Sequence, residues 1–347
     1  MSDAAEGTGP VEPALPRQTT ALYGHTEAEL ALLDAYRSGR FAHAWLFIGP
    51  PGTGKATLAY RSARFILAHG DPRLPSIQCA TSLAVLPEHP ATRRIAAQSH
   101  PDLLVLERTI NEKTGKLRQD IQVDDVRRSV AFFGSTPAEG GWRVAIVDTV
   151  DELNAEGANA LLKILEEPPR HAVLLLVSHS AGRVLPTIRS RCRVLPLRPL
   201  ASVDVARAAA GAIGRDPGDP EITAAAAVAE GSVRRALELL DRNALELRNC
   251  ILGLLDRLPM VDPHALHGLG ERLYGTDAST LGTFVETVNE WLAACLAREP
   301  QQPAALDRVA RIWQRFNAAA RDVAEYNLER KPLVFNVFRW LAEAPPG

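Results

Sequence analysis

Four groups of residues in this chain have types and spacings suited to acting on a phosphate. The first is Gly49-Pro50-Pro51-Gly52-Thr53-Gly54-Lys55-Ala56. Glycines at 49, 52 and 54 allow a tight turn whose backbone N–H groups point inward. Lys55 adds positive charge near the β- and γ-phosphates of a nucleotide, and a following helix adds the positive end of its dipole. The full pattern ends in a Ser or Thr whose hydroxyl binds Mg2+; here Ala56 stands in that place. Thr57 is adjacent, but neighbours in a helix point about 100° apart, so it does not replace the missing ligand.

The second group is Asp148, at the end of the apolar run Val144 to Val147. A hydrolase of this kind needs such an aspartate for Mg2+, and usually a neighbouring carboxylate to activate water. The neighbour is Thr149, which is no base near neutral pH. Asp151 and Glu152 are close, but the turn is expected to aim them elsewhere. The bland reading makes Asp148 a loop cap. Ala56 and Thr149 together favour a loop that has lost hydrolysis.

The third group is Ser190-Arg191-Cys192. An arginine is always charged and forks onto phosphate oxygens, so Arg191 suits stabilisation of a transition state in a neighbouring molecule. A surface arginine is more often merely solvated. The fourth is Gly231-Ser232-Val233-Arg234-Arg235. Ser232 can cap a helix that carries both arginines near its start. Arg234 is then either a solvent-facing charge or a sensor of phosphate.

The elements that must position these groups alternate. Ala44–Ile48 is a short apolar run closed by Gly49-Pro50, expected as a buried parallel strand. Lys55–Leu67 has helical spacing. Leu103–Leu106, Arg143–Val147 and Ala172–Val177 read as further strands, with helices at Val123–Phe133 and Leu153–Glu167. Strand and helix in turn predict an α/β parallel sheet. Residues 26–39 read as a helix with Thr26 as N-cap and Glu29 closing a capping box. Residues 70–100 are Pro-rich and read as irregular, and Lys113-Thr114-Gly115-Lys116 as an exposed turn. After Pro199 the strand-like runs stop. Helices are expected at 201–213 and 221–240, then from about Asn243 onward, with Trp291, Trp313 and Trp340 as packing anchors.

At 347 residues the chain has room for two or three domains. Hydrophobic content of 46% and charge content of 23% are those of a soluble globular protein. A net charge of −2 gives no global pull toward nucleic acid or anionic membrane. Cys79, Cys192, Cys250 and Cys295 are dispersed, with no CxxC pair, so zinc is not expected and a reducing, cytoplasmic setting is. No apolar run reaches the ~18–20 residues that span a bilayer. The opening residues lack the basic start and apolar stretch of a signal peptide. Their Gly, Pro and acidic content predicts a disordered tail over 1–18.

The stretches HAWLFIGPPGTGKATLA, NALLKILEEPP and TIRSRC, in this order, resemble the clamp-loader branch of the AAA+ family. The likeness is closest to its members that do not hydrolyse ATP. It implies an α/β P-loop (AAA+) parallel-sheet domain over 19–198, a small helical lid over 199–242 and an all-α collar for oligomerisation over 243–347. It also implies a pentameric loader, built with delta and gamma or tau subunits, that opens the beta sliding clamp and places it on primer-template DNA. Arg191 is then the arginine lent to the ATP site of an adjacent gamma or tau subunit. Gly49, Gly52, Gly54, Lys55, Asp148 and Arg234 are then a weak or vestigial nucleotide site. Many loader subunits carry a four-cysteine zinc module after the phosphate loop; residues 68–102 hold Cys79 alone. No cofactor is required by this reading, although Lys55 leaves room for ATP or ADP without turnover. The competing class is an active AAA+ motor, against which Ala56 and Thr149 speak. A small-molecule P-loop kinase leaves the LEEPP and SRC stretches and the helical last third unexplained.

Overall fold

Trp45 and Phe47 face one side of a sheet, and Ala44 and Leu46 the other, and all four are fully buried. A strand covered on both faces must be apolar throughout, which is why these segments read as unbroken apolar runs. The computed structural model describes residues 13–111, 116–118, 120–139, 141–274, 278–297, 303–326 and 328–343. The chain forms two units, Met1–Leu237 and Glu238–Gly347.

The strands of the first unit are β1 (Ala44–Ile48), β2 (Leu103–Glu107), β3 (Ile110–Asn111), β4 (Lys116–Leu117), β5 (Arg143–Asp148), β6 (Ala172–Ser178) and β7 (Arg193–Pro196). Five of them make a parallel sheet in the order β2-β5-β6-β1-β7. The other two, β3 and β4, form a short antiparallel ribbon. Of the expected turn at 113–116, residues 113–115 lie outside the described residues.

The helices of this unit are α1 (Thr26–Arg37), α2 (Lys55–Ala68), α3 (Pro75–Gln78), α4 (Pro90–Ala96), α5 (Val123–Gly134), α6 (Ala155–Glu166), α7 (Pro186–Arg189), α8 (Ser202–Ile213), α9 (Pro220–Val228) and the start of α10 (Val233–Leu240). One face of the sheet packs on α1 and α2 through Leu32, Leu33, Leu58 and Ile66. The other packs on α5 and α6 through Val126, Phe133, Leu161 and Leu165. Residues 70–100, expected as irregular, contain α3 and α4. Each opens on a proline, whose fixed φ suits the first helical position.

Two local expectations differ. The residue before α1 is His25, in a left-handed conformation, and no side chain caps that helix. Glu29 is turned inward instead, accepting from Arg61 Nε at 2.7 Å and from the Leu83 backbone N–H at 2.8 Å. Residues 1–12 of the expected tail lie outside the described residues. Residues 13–18, by contrast, belong to the folded unit. The Ala14 N–H donates to the Ala212 carbonyl of α8 at 3.0 Å. Arg64 of α2, 2% exposed, donates to the carbonyls of Pro16, Arg17 and Thr19. A buried guanidinium needs acceptors, and this segment supplies them.

The second unit is helical: the end of α10, then α11 (Arg242–Leu255), α12 (Pro263–Arg272), α13 (Ala278–Ala297), α14 (Pro303–Tyr326) and α15 (Arg330–Glu343). Phe284 and Phe316 meet edge to face in its core. Trp291 and Trp313 pack against that core, and Trp340 is buried beneath the Arg315 guanidinium. Asn289 and Asn317 exchange side-chain hydrogen bonds between α13 and α14. No helix among the described residues is long and apolar enough to cross a membrane.

Candidate functional site: a phosphate loop closed by its own chain

The strand register aligns the polar ends of the sheet. Ile48 lies beside Ser178 and Pro196, Asp148 beside Val177, and Glu107 beside Asp148. The glycine loop leaves β1 at Ile48, so it meets Asp148 and Ser178 at the carboxyl edge of the strands, where open α/β sheets bind ligands.

Gly52 and Gly54 have φ of 75° and 90°, which side chains other than glycine's rarely tolerate. Gly52 is tight for a second reason. A Cβ there would stand 2.0 Å from Ser232 Oγ and 2.9 Å from Arg234 Cβ, and a Cβ on Gly49 would stand 2.2 Å from the Leu197 carbonyl oxygen. The Val233 N–H donates to the Gly52 carbonyl at 2.9 Å, and His25 Nε2 lies 2.7 Å from the Thr53 carbonyl. The loop is thus gripped by three other segments of the chain.

Lys55 is 3% exposed and donates to the Gly49 and Pro50 carbonyls at 2.7 and 2.5 Å. Burial pulls it down to about 8, against the pull of Asp148 and Asp151. Its charge is spent on the loop itself. Asp148 is pushed up to about 6, first by burial and then by Glu107 and Glu152, with Lys55 opposing. The Thr149 hydroxyl is buried and has no hydrogen-bond partner among the described residues.

Asp148 should therefore weaken the fold as pH rises from about 4 to about 6. The unfolded chain releases this proton near the ordinary value of about 4. Between there and about 6 the folded chain still holds it. Stability from this group is therefore full below the lower value and lost as pH rises through the upper one. Asp148→Asn is expected to stabilise the protein by on the order of 2 kcal/mol at pH 8, and by nothing near pH 4. Urea unfolding of both forms across that range checks it; a gain independent of pH would refute the assignment.

Asp151 and Glu152 each have partners of their own. The Val150–Glu152 turn is a single 3-10 turn that aims Asp151 at the end of β6. Its carboxylate accepts from Ser178 Oγ at 2.8 Å and from the His179 N–H at 2.5 Å. Glu152 pairs with Arg108 at 2.8 Å. His179 was not singled out from the sequence, yet Lys55, Asp151 and Arg234 all act on it electrostatically. The signal was there: the first polar side chains after a seven-residue buried strand must lie at the sheet's carboxyl edge.

Ser232 caps α10, accepting from the Arg235 N–H at 3.3 Å, and Arg234 follows on that first turn beside Gly52. Arg191 is elsewhere. Arg193 pairs with Trp45 near the start of β1, whereas the loop follows Ile48. Three strand steps, about 10 Å, separate those levels, and Arg191 lies two residues further away. It cannot reach its own loop. Arg191 Nη2 pairs with Glu166 Oε1 at 2.8 Å and Nη1 donates to the Thr187 carbonyl at 3.0 Å. Burial pushes the neighbouring Cys192 thiol up to about 12, so it is no nucleophile.

A family profile described as DNA polymerase III, delta subunit, matches residues 24–201, slightly more than half of the chain. The chain belongs to this clamp-loader family and is of the delta prime type. A DNA polymerase III subunit delta' from Pseudomonas aeruginosa is 41% identical over 151 residues, covering 44% of this chain and 42% of that protein. The delta' of Bacillus subtilis is 30% identical over 169 residues, 49% of this chain and 46% of that one. The Bacillus subtilis subunit tau is 28% identical over 287 residues, covering 80% of this chain and 46% of tau. The chain spans less than half the length of these relatives. The match to the delta-subunit family contains the glycine loop, Asp148 and the SRC triplet, and ends before α8.

The fit to Mg-nucleotide is poor on this chain's own geometry. Position 56 offers no hydroxyl, Thr149 offers no carboxylate, and Lys55 already serves two loop carbonyls. Among the described residues no cluster of His, Cys, Asp or Glu is arranged to hold a metal ion.

Proposed function

We propose that this chain is a non-hydrolysing clamp-loader subunit that lends Arg191 to the ATP site of a neighbouring gamma or tau subunit. It would work with delta and gamma or tau to load the beta sliding clamp on primer-template DNA in the cytoplasm during replication. The nucleotidyl transfer of the DNA-directed DNA polymerase complex would reside in another subunit, and the helices of 243–347 would hold the oligomer together. One observation carries the reading. The chain's own phosphate loop lacks the groups for hydrolysis, while its partly exposed SRC arginine sits at the opposite edge of the sheet. An arginine so placed is useful only to another molecule.

The test is steady-state ATPase of the purified chain alone, then with gamma or tau, delta, clamp and primed DNA. Silence alone with strong turnover in the mixture supports the reading. Turnover by the chain alone, abolished by Lys55→Ala, would establish the competing reading of an active motor. In the mixture Lys55→Ala is expected to change turnover less than twofold, because that amine faces carbonyls rather than a phosphate. A large loading defect in this variant would show that nucleotide binding at the loop matters.

A further inference from the structure

The Arg191 guanidinium is held by its own chain before any neighbour arrives. Its backbone is fixed by α7, where Ser190 and Arg191 donate to the carbonyls of Pro186 and Ile188. Ile188 is 1% exposed and packs in the same core as Leu161, Ile164 and Leu165 of α6. That packing brings the end of α6 beside α7. Glu166, the last residue of α6, then reaches Arg191 Nη2 at 2.8 Å while the Thr187 carbonyl takes Nη1. The guanidinium is thereby held at both ends, by a hydrogen bond from Nη1 and an ion pair at Nη2.

The Arg191 and Glu166 side chains are 36% and 51% exposed, so this pair adds little to the stability of the fold. Its effect is on orientation. A long arginine side chain gives up rotamer freedom when it engages a phosphate, and one already held gives up less. We infer that Glu166 is a positioning residue: it pre-orients Arg191 for the phosphate it meets in the neighbouring subunit. This rests on the trans-acting role of Arg191 proposed above. It adds a second residue, on a different helix, whose part is to aim the first. Glu166 itself touches no substrate.

The experiment uses the reconstituted loader, complete with clamp and primed DNA, and reads the share of ATP turnover that Arg191→Ala removes. Glu166→Ala is expected to lower that share about threefold through kcat, with KM for ATP unchanged. Glu166→Gln keeps an acceptor at the same reach and is expected to restore most of the activity. In an Arg191→Ala background, Glu166→Ala is expected to have no further effect. Thermal unfolding and gel filtration of each variant check that folding and assembly are intact. The inference fails if Glu166→Ala is silent, if it speeds turnover, or if its effect persists without Arg191. If Arg191→Ala alone leaves turnover unchanged, the trans role is itself removed, and that result is distinct from a silent Glu166→Ala.

Discussion

Replacing Arg191 with alanine is expected to leave the chain folded and assembled while cutting ATP turnover at the one neighbouring site by roughly 10³-fold. The folding half of this expectation follows from the side chain's place. It is partly exposed, its ion pair with Glu166 is on the surface, and no buried group is orphaned by its loss. The catalytic half follows from the chemistry. Charge grows on the phosphoryl oxygens in the transition state, and a forked cation placed there acts more on the rate than on binding. Because other sites remain, bulk turnover falls less than the single site does. Single-turnover measurement on the assembled loader isolates the affected site. Full activity of the variant there would end the proposal. Arg191→Lys should behave nearly as badly as alanine, since an ammonium carries the charge without the fork.

The second large effect concerns stability. Arg64→Ala is expected to destabilise the protein by on the order of 3–5 kcal/mol, comparable to breaking other buried charge-assisted contacts. Arg64 is 2% exposed and bonds three backbone carbonyls between Pro16 and Thr19. Deleting residues 1–19 removes the same bonds from the other side. The two changes should therefore add to much less than their sum. A shift in the urea midpoint at constant slope measures both. A loss below about 1 kcal/mol for Arg64→Ala would mean that the segment and α2 are held by other means.

The sheet was legible because its strands are covered on both sides. A run such as Ala172–Val177 has few alternatives in water, and every residue of β6 is buried. The loop, Asp148, the SRC triplet and the Ser232 cap were legible for a related reason: each is a local pattern. What escaped depended on distant parts of the chain meeting. Asp151 could be placed only once β5 and β6 were side by side, since its partners are Ser178 and His179. Glu29 had a plausible local role as a capping residue, but Arg61, 32 positions later, outcompeted it. The basic residues of α2 gave no sign that one of them would be buried against residues 16–19. Short helices opened by proline at 75 and 90 were hidden by the same prolines that suggested a loop.

The grip on the glycine loop bears on how such a motif ages. Gly49 and Gly52 leave no room for a side chain because Leu197, Ser232 and Arg234 stand against them. Two different selective pressures therefore act on one short signature. A saturation library screened only for folding should reject nearly every change at 49 and 52, yet admit many at 56, where Ala56 carries no hydroxyl. The glycines of such a signature can outlast the reaction they once served, preserved as joinery.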